Sequence, residues 1–532
     1  MPDLILYHGK VHTQDPEYAR ATAIAIRGNR LLAVGDDADI RALTGPHARS
    51  IDLGGRLVLP GLTDAHFHLS TWALGLRRLV LADVPSLADL YRRVAEQASR
   101  IPSGAWILGQ GWNETRWPRL ILPTRGDLDE VTTSHPVLLW RSDMHLAVAN
   151  SRALQEACIT AGTPDPPQGV IDRDASGRPT GVLRELAINM VTDVVPPPAA
   201  EELVAAIREG IPLLHQLGLT GVHDCRVKGG GAGRRAFHAY QQLRAAGELA
   251  LRTWMHLPGE RLAEAVALGL RTGLGDDYLR VGHLKLFSDG SQGAGTAWML
   301  EPYEDTAGCG MPLTPMEEIA ESVRSATPAG IAVAIHAIGD RAVRELVSVF
   351  ERAPAGARSL PAPHRIEHLQ NIRPKDVARL ARLGIVGSVQ PIHATDDLPM
   401  VERSVGRRAR FAYPFRDLLA AGVTLALGSD SPVADPNPLW GIHAAVTRQR
   451  RDGTPPGGWY PDQRLTVDEA VWGYTMGPAL ATGLAADLGS ITPGKLAYLV
   501  VLDRDILTVD PAEIHQARVV ITVFDGRVVH DI

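Results

Sequence analysis

The chain has 532 residues, 45% hydrophobic and 21% charged, with a formal net charge of −6. That length exceeds one ordinary domain and suits a large barrel with a smaller companion. No basic block offers a footprint for nucleic acid and no apolar run is long enough to span a bilayer, so neither is an expected partner.

The opening segment MPDLILYHGKVHTQD lacks a basic region followed by a long apolar stretch, so no secretory signal is expected. Cys158, Cys225 and Cys309 lie far apart without pair spacing. They read as reduced thiols in a cytoplasmic protein.

Residues 1 to about 56 carry short β-type runs at Leu4–Tyr7, Ala23–Ile26 and Leu31–Val34, separated by turn residues. The C-terminus has the same texture, with runs at Tyr498–Leu502 and Val519–Val523 and an Asp525-Gly526 hairpin turn before Arg527–Val529. The two ends therefore predict one composite β-sandwich, residues 1–56 plus 488–532.

Between them, residues 57–487 alternate strand and helix. The stretch Leu57 to Leu69, LVLPGLTDAHFHL, reads as a buried strand, broken at Pro60-Gly61, that ends in His66 and His68. Residues at i and i+2 of a strand share a face, so both imidazoles can reach one point. Asp64 shares that face and is a candidate to orient a histidine. An insertion at about 70–200 follows, with a helix near Leu87 to Arg100 and the segment GQGWNETRWP. Seven further strands are expected at Gly221–Asp224, Leu251–Leu257, Val281–Phe287, Ile331–Ala337, Arg365–His368, Ile385–Gln390 and Val423–Leu427. Eight strands with helical crossovers predict a (β/α)8 TIM barrel of the α/β class. Chemistry in that fold sits where the strands end.

Polar residues fall at those ends. Lys285 lies on an apolar run, where a lysine is costly unless paired or modified. His336, His368 and Asp430 terminate three other runs. With His66 and His68 they make a candidate metal-ligand set, since neutral imidazole is a common zinc ligand.

The motifs PGLTDAHFH, GVLRE, KLFSDGSQGAGTA, HAIGDRAV, RIEHLQ and GSDSPV span nearly the whole chain. In them the chain resembles the amidohydrolase superfamily, specifically amidohydrolase family 3, the YtcJ-like branch that includes N-substituted formamide deformylases. The resemblance implies a distorted (β/α)8 barrel with a small composite β-sandwich, and two divalent metals, usually zinc. It implies that His66 and His68 hold the more buried ion with Asp430, and that His336 and His368 hold the second. Lys285 would bridge them as a carbamate formed with carbon dioxide, a role for which Glu185 of Gly181–Glu185 competes as a ligand or substrate contact. A buried lysine has a pKa lowered by desolvation, which frees its amine to capture carbon dioxide. Metal lowers the pKa of bound water from about 15.7 to roughly 7. Asp430 is then the expected catalytic acid and base. Two departures from the family pattern, Tyr498 in place of an acid and Gly477-Pro478-Ala479, lie away from this set.

Further candidates for the substrate pocket are His393 after the seventh strand, Asn113 with Trp112 and Trp117 as a lid or wall, and Arg141, Asp143 and His145. Asp289 is a candidate contact too, although Asp-Gly is a turn signal in its own right. Cys225 ends the second strand, too far from any motif to read as a nucleophile.

The expected function is hydrolysis of a non-peptide C–N bond in a small-molecule amide or N-substituted formamide. Ester, lactone or carbamate hydrolysis uses the same hydroxide. A mononuclear deaminase ranks lower, because the glutamate that such enzymes place three residues after the fifth-strand histidine is Gly339 here. An inactive scaffold ranks lowest, because every ligand is present. A homodimer is an expectation that the family allows.

Overall fold

A computed structural model describes the chain except for residues 19, 20, 168, 226–231, 307, 354, 355, 357 and 358. Eight strands form one sheet: β1 (Leu62–Phe67), β2 (Leu219–Asp224), β3 (Arg252–Pro258), β4 (Leu279–Phe287), β5 (Val333–Ala337), β6 (Arg365–His368), β7 (Val386–Val389) and β8 (Leu425–Leu427). They neighbour one another in chain order, and every pairing is parallel. The ring closes just beyond β8. There Asp430 N donates to His66 O at 2.7 Å, and His68 N donates to Ser431 O at 2.9 Å. This is the (β/α)8 barrel that the sequence predicts.

β5, β7 and β8 are buried along their whole length, as a sheet wrapped by helices requires. The helix Asp340–Glu351 after β5 buries Ala342, Val343, Leu346, Val347 and Phe350, which recur at helical spacing. The helix Pro374–Leu383 after β6 starts at a proline and stops at Gly384, whose φ of 67° fits the left-handed cap.

The run Leu57–Pro60 does not open β1. It is a strand of a separate five-stranded sheet and pairs antiparallel with Leu499–Leu502. Gly61 makes the break, because a Cβ there would lie 2.7 Å from Tyr498 Cβ. The same sheet holds Lys10–Val11, Val519–Phe524 and Arg527–Asp531. A four-stranded sheet of Leu4–Tyr7, Ala23–Arg27, Arg30–Gly35 and Arg49–Asp52 contributes to the same core, where Leu6, Ile24 and Ile26 join Val58, Leu499 and Val523.

Between β1 and β2 the chain builds a fourth sheet, of six strands, including Ile107–Trp112, Val137–Arg141, Leu146–Ala149 and Pro179–Glu185. Its helix Leu87–Ala98 is capped by Ser86, whose side chain accepts from Asp89 N. No helix among the described residues is long and apolar enough to cross a membrane.

Candidate active site

The barrel brings His66, His68, Lys285, His336, His368 and Asp430 to one end of its strands. His66 is buried, and its Nδ1 lies 2.5 Å from Glu367 Oε2. Burial lowers the His66 pKa to about 4 against the pull of Asp430 and Glu367, so the ring is neutral near pH 7. Its Nε2 faces Asp430 Oδ1 at 3.3 Å and makes no hydrogen bond. His68 Nε2 lies 2.9 Å from Asp430 Oδ1, while its Nδ1 meets the Cys225 carbonyl at 3.0 Å. His368 Nδ1 meets Gln390 Oε1 at 2.9 Å. The His336 and His368 rings lie 4.6 Å apart, and burial holds both well below the usual imidazole range. Burial opposes the charge on Asp430, but the surrounding histidines hold its carboxyl well below the usual carboxylate range.

Asp430 and His368 both have positive φ, at 61° and 71°. Non-glycine residues adopt that conformation at a cost, and such strain concentrates at functional sites. Here it turns two side chains at strand ends toward the histidines.

Donor atoms of His66, His368 and Asp430 lie within 4.8 Å of one another. Lys285 is 2% exposed, with its Nζ 4.7 Å from the Phe287 ring centre. Among the described residues it has no hydrogen bond or ion pair, and its charge bears on His66, His336, His368 and the Glu367 carboxylate. The residues therefore fit a metal. Neutral imidazoles converge on an ionised carboxylate, one buried nitrogen has no hydrogen-bond partner, and among the described residues a buried lysine makes no direct ion pair.

Several expected roles change. Asp64 does not orient an imidazole. Its carboxylate accepts from His66 N, Ser429 N and Ser429 Oγ, and so clamps β1 to the end of β8. The residue that holds the His66 ring is Glu367, gripped in turn by the fully buried Arg365. Arg365 also reaches His223, the Ala65 carbonyl and Ser388, which ties β6 to β1, β2 and β7. The Arg-x-Glu spacing on a strand was the clue, since two charges on one face of a buried strand need each other. Cys225, isolated in the sequence, comes within 4.8 Å of donor atoms of His66 and Glu367.

A cleft of about 1030 Å³ opens over the cluster, lined by His145, His336, His368, His393 and Asp430. His393 stacks parallel to His368 at 6.5 Å, and its Nε2 is buried without a hydrogen-bond partner. Asn113 also lines the cleft, but its side chain caps a turn by accepting from Thr115 N and Oγ1. Trp112 does not line the cleft. It is fully buried, donates to Leu139 O and stacks on Trp117 in the core of the inserted sheet. Asp289 does not line the cleft either. It is fully buried and accepts from the backbone N–H groups of Trp298, Ile338 and Gly339, so it shapes the loops after β4 and β5. Burial raises it to about 7 against those hydrogen bonds. Glu185 engages His145 and Thr296 rather than the barrel's histidine cluster. Burial works against charge on His145, and Glu185, Asp143 and Asp430 outweigh it, raising the ring to about 9.

The family model described as Amidohydrolase family matches residues 49–530. The chain belongs to the amidohydrolase family. Protein LONG AFTER FAR-RED 3 of Arabidopsis thaliana is 34% identical over 515 residues, covering 94% of this amidohydrolase and 87% of that protein. N-substituted formamide deformylase of Arthrobacter pascens is 30% identical over 547 residues, covering 99% and 98%. Among solved structures, an uncharacterized metal-dependent hydrolase from Pyrococcus horikoshii ot3 superposes with a TM-score of 0.76 at 29% identity, covering 96% of this chain and 99% of that one.

Proposed function

We propose that this amidohydrolase hydrolyses a non-peptide C–N bond, in an amide or N-substituted formamide, at a pair of divalent ions. Zinc suits the imidazole-rich donors. His66, His68 and Asp430 would hold one ion, His336 and His368 the other, and Lys285 would join them as a carbamate. The observation that carries this reading is the buried, unpaired Lys285 among neutral histidines, because a carbamate turns a costly cation into an anionic oxygen ligand. The similarity to N-substituted formamide deformylase supports the bond type.

When bound, such ions supply Lewis acidity that activates water and polarises a carbonyl. The chain's own part is proton transfer and orientation. Asp430, held ionised, accepts the proton released as water adds to the carbonyl carbon. It returns that proton to the nitrogen as the C–N bond breaks. A positioned group of this kind contributes about 100- to 10,000-fold. Glu367 and Gln390 hold the His66 and His368 rings in place. The substrate is a small molecule, and the expected setting is cytoplasmic, with a homodimer as the family's allowed assembly.

One observation favours a second reading. His66, His368 and Asp430 can surround a single ion, which would make the centre mononuclear. Metal content by inductively coupled plasma mass spectrometry, on zinc-grown protein and a Lys285→Ala variant, separates the two. The binuclear reading expects two metals per chain and a clear loss in the variant. One metal, unchanged by the substitution, would remove the carbamate bridge. A panel of amides and N-substituted formamides, assayed for released amine, tests the bond.

A further inference from the structure

The inserted sheet delivers a histidine to the barrel's cleft. His145 precedes the strand Leu146–Ala149, and Glu185 ends the strand Pro179–Glu185 beside it. Glu185 N donates to the His145 carbonyl at 3.0 Å, and His145 Nδ1 meets Glu185 Oε2 at 2.8 Å. The other carboxylate oxygen accepts from Thr296 Oγ1. Gly290 is required for this approach, because a Cβ there would collide with both Glu185 Oε1 and Thr296 Oγ1. The backbone is strained on both sides, with φ of 60° at Met144 and 51° at Glu185.

The loop is braced as well. Arg141, 4% exposed, donates to Glu114 at 2.9 and 3.1 Å and to Asp143 at 2.9 Å. Asp143 accepts from His145 N at 3.2 Å and from Ser291 Oγ at 3.2 Å. With Nδ1 committed to Glu185, Nε2 has no hydrogen-bond partner among the described residues, and the ring lines the cleft 5.5 Å from the His336 ring.

We propose that His145 contacts the substrate through Nε2, with Glu185 as its positioning residue, so that the inserted sheet completes an active site the barrel only half builds. This deepens the C–N hydrolase reading and rests on it for the identity of the substrate. A histidine whose second nitrogen is tied to a carboxylate presents its free nitrogen in one orientation. The outermost of the braces, Arg141 with Glu114 and Asp143, never reaches the metal cluster, which fits a device for aiming one ring rather than for ligation.

The test measures zinc content and benzohydroxamate affinity by calorimetry in the zinc-loaded parent, His145→Ala, Glu185→Gln and the double variant, with amine release beside them. We expect zinc content to hold in all four. Affinity should fall about tenfold in His145→Ala, the scale of one lost hydrogen bond with its partner stranded. Glu185→Gln should fall less, and add nothing in the His145→Ala background. Unchanged affinity in the single variants overturns the proposal. So does loss of zinc from either, which would make the pair ligands. Circular dichroism confirms folding, and Glu185→Gln, nearly isosteric, carries the test if His145→Ala fails to fold. If the parent cleaves no amide or formamide yet binds the hydroxamate through His145, the C–N reading falls and the His145 contact stands.

Discussion

Glu367 shows how a single residue governs the centre without reaching the cleft. It is fully buried, takes two hydrogen bonds from Arg365 and lies against His66 Nδ1. That contact leaves His66 Nε2 to face Asp430. Removing such a support costs about 10- to 100-fold in metal affinity or activity. Glu367→Gln should therefore lose zinc to a chromophoric chelator at a lower chelator concentration than the parent. The same change strands the Arg365 guanidinium, so a lower melting temperature is expected beside it. His66 and His68 were legible because strand period alone puts them on one face. The hold of Glu367 on His66 was not: the Arg365-x-Glu367 spacing shows two charges on one face, but no local pattern couples either to a ring on another strand.

At the scale of the element, the helix Val467–Tyr474 carries its own start signal. Thr466 and Glu469 form a capping box, with each side chain accepting from the other's backbone N–H. Thr466→Ala should cost about 1 kcal/mol in denaturant unfolding. Hydrogen bonds from Arg416, set against burial and joined by those from Thr466, lower Glu469 from 4.5 to about 2. A carboxylate lowered on folding stabilises the fold above its unfolded value. The contribution shrinks as pH falls from about 4.5 toward about 2. The gap in urea midpoint between the parent and Glu469→Gln should be present at pH 7 and close across that window. The pair is partly solvated, so salt should narrow the gap as well. The six-stranded sheet of the insertion was far less legible. Its strand Ile107–Trp112 contains Gly109 and Gly111, which propensity places outside strands. Gly109 is there because a Cβ would lie 2.8 Å from the Leu139 side chain on the neighbouring strand.

Across the whole molecule, both ends of the chain meet in one sheet. Leu57–Pro60 lies between Lys10–Val11 and Leu499–Leu502. Gly61 N donates to Tyr498 O at 2.7 Å immediately before β1 begins. A truncation after residue 488 would remove three of the five strands in that sheet and expose Val58 and Leu59, both fully buried. Soluble yield should collapse, and any protein recovered should lack near-ultraviolet circular dichroism. Retention of a folded, zinc-binding barrel would show instead that the terminal sheets are dispensable.

The sequence by itself determined the barrel and the identity of the histidine cluster. Alternating strand and helix specifies a parallel sheet, and chemistry at strand ends follows from that topology. Both are local properties of short windows. Only the tertiary structure decided the partners: Glu367 on His66, Asp64 on the backbone that closes the ring, and Glu185 on His145 rather than on the barrel's histidine cluster. Each contact joins segments far apart in the chain, and its geometry depends on how strands from different sheets meet. Side-chain period can say which face a residue occupies. It cannot say what stands opposite.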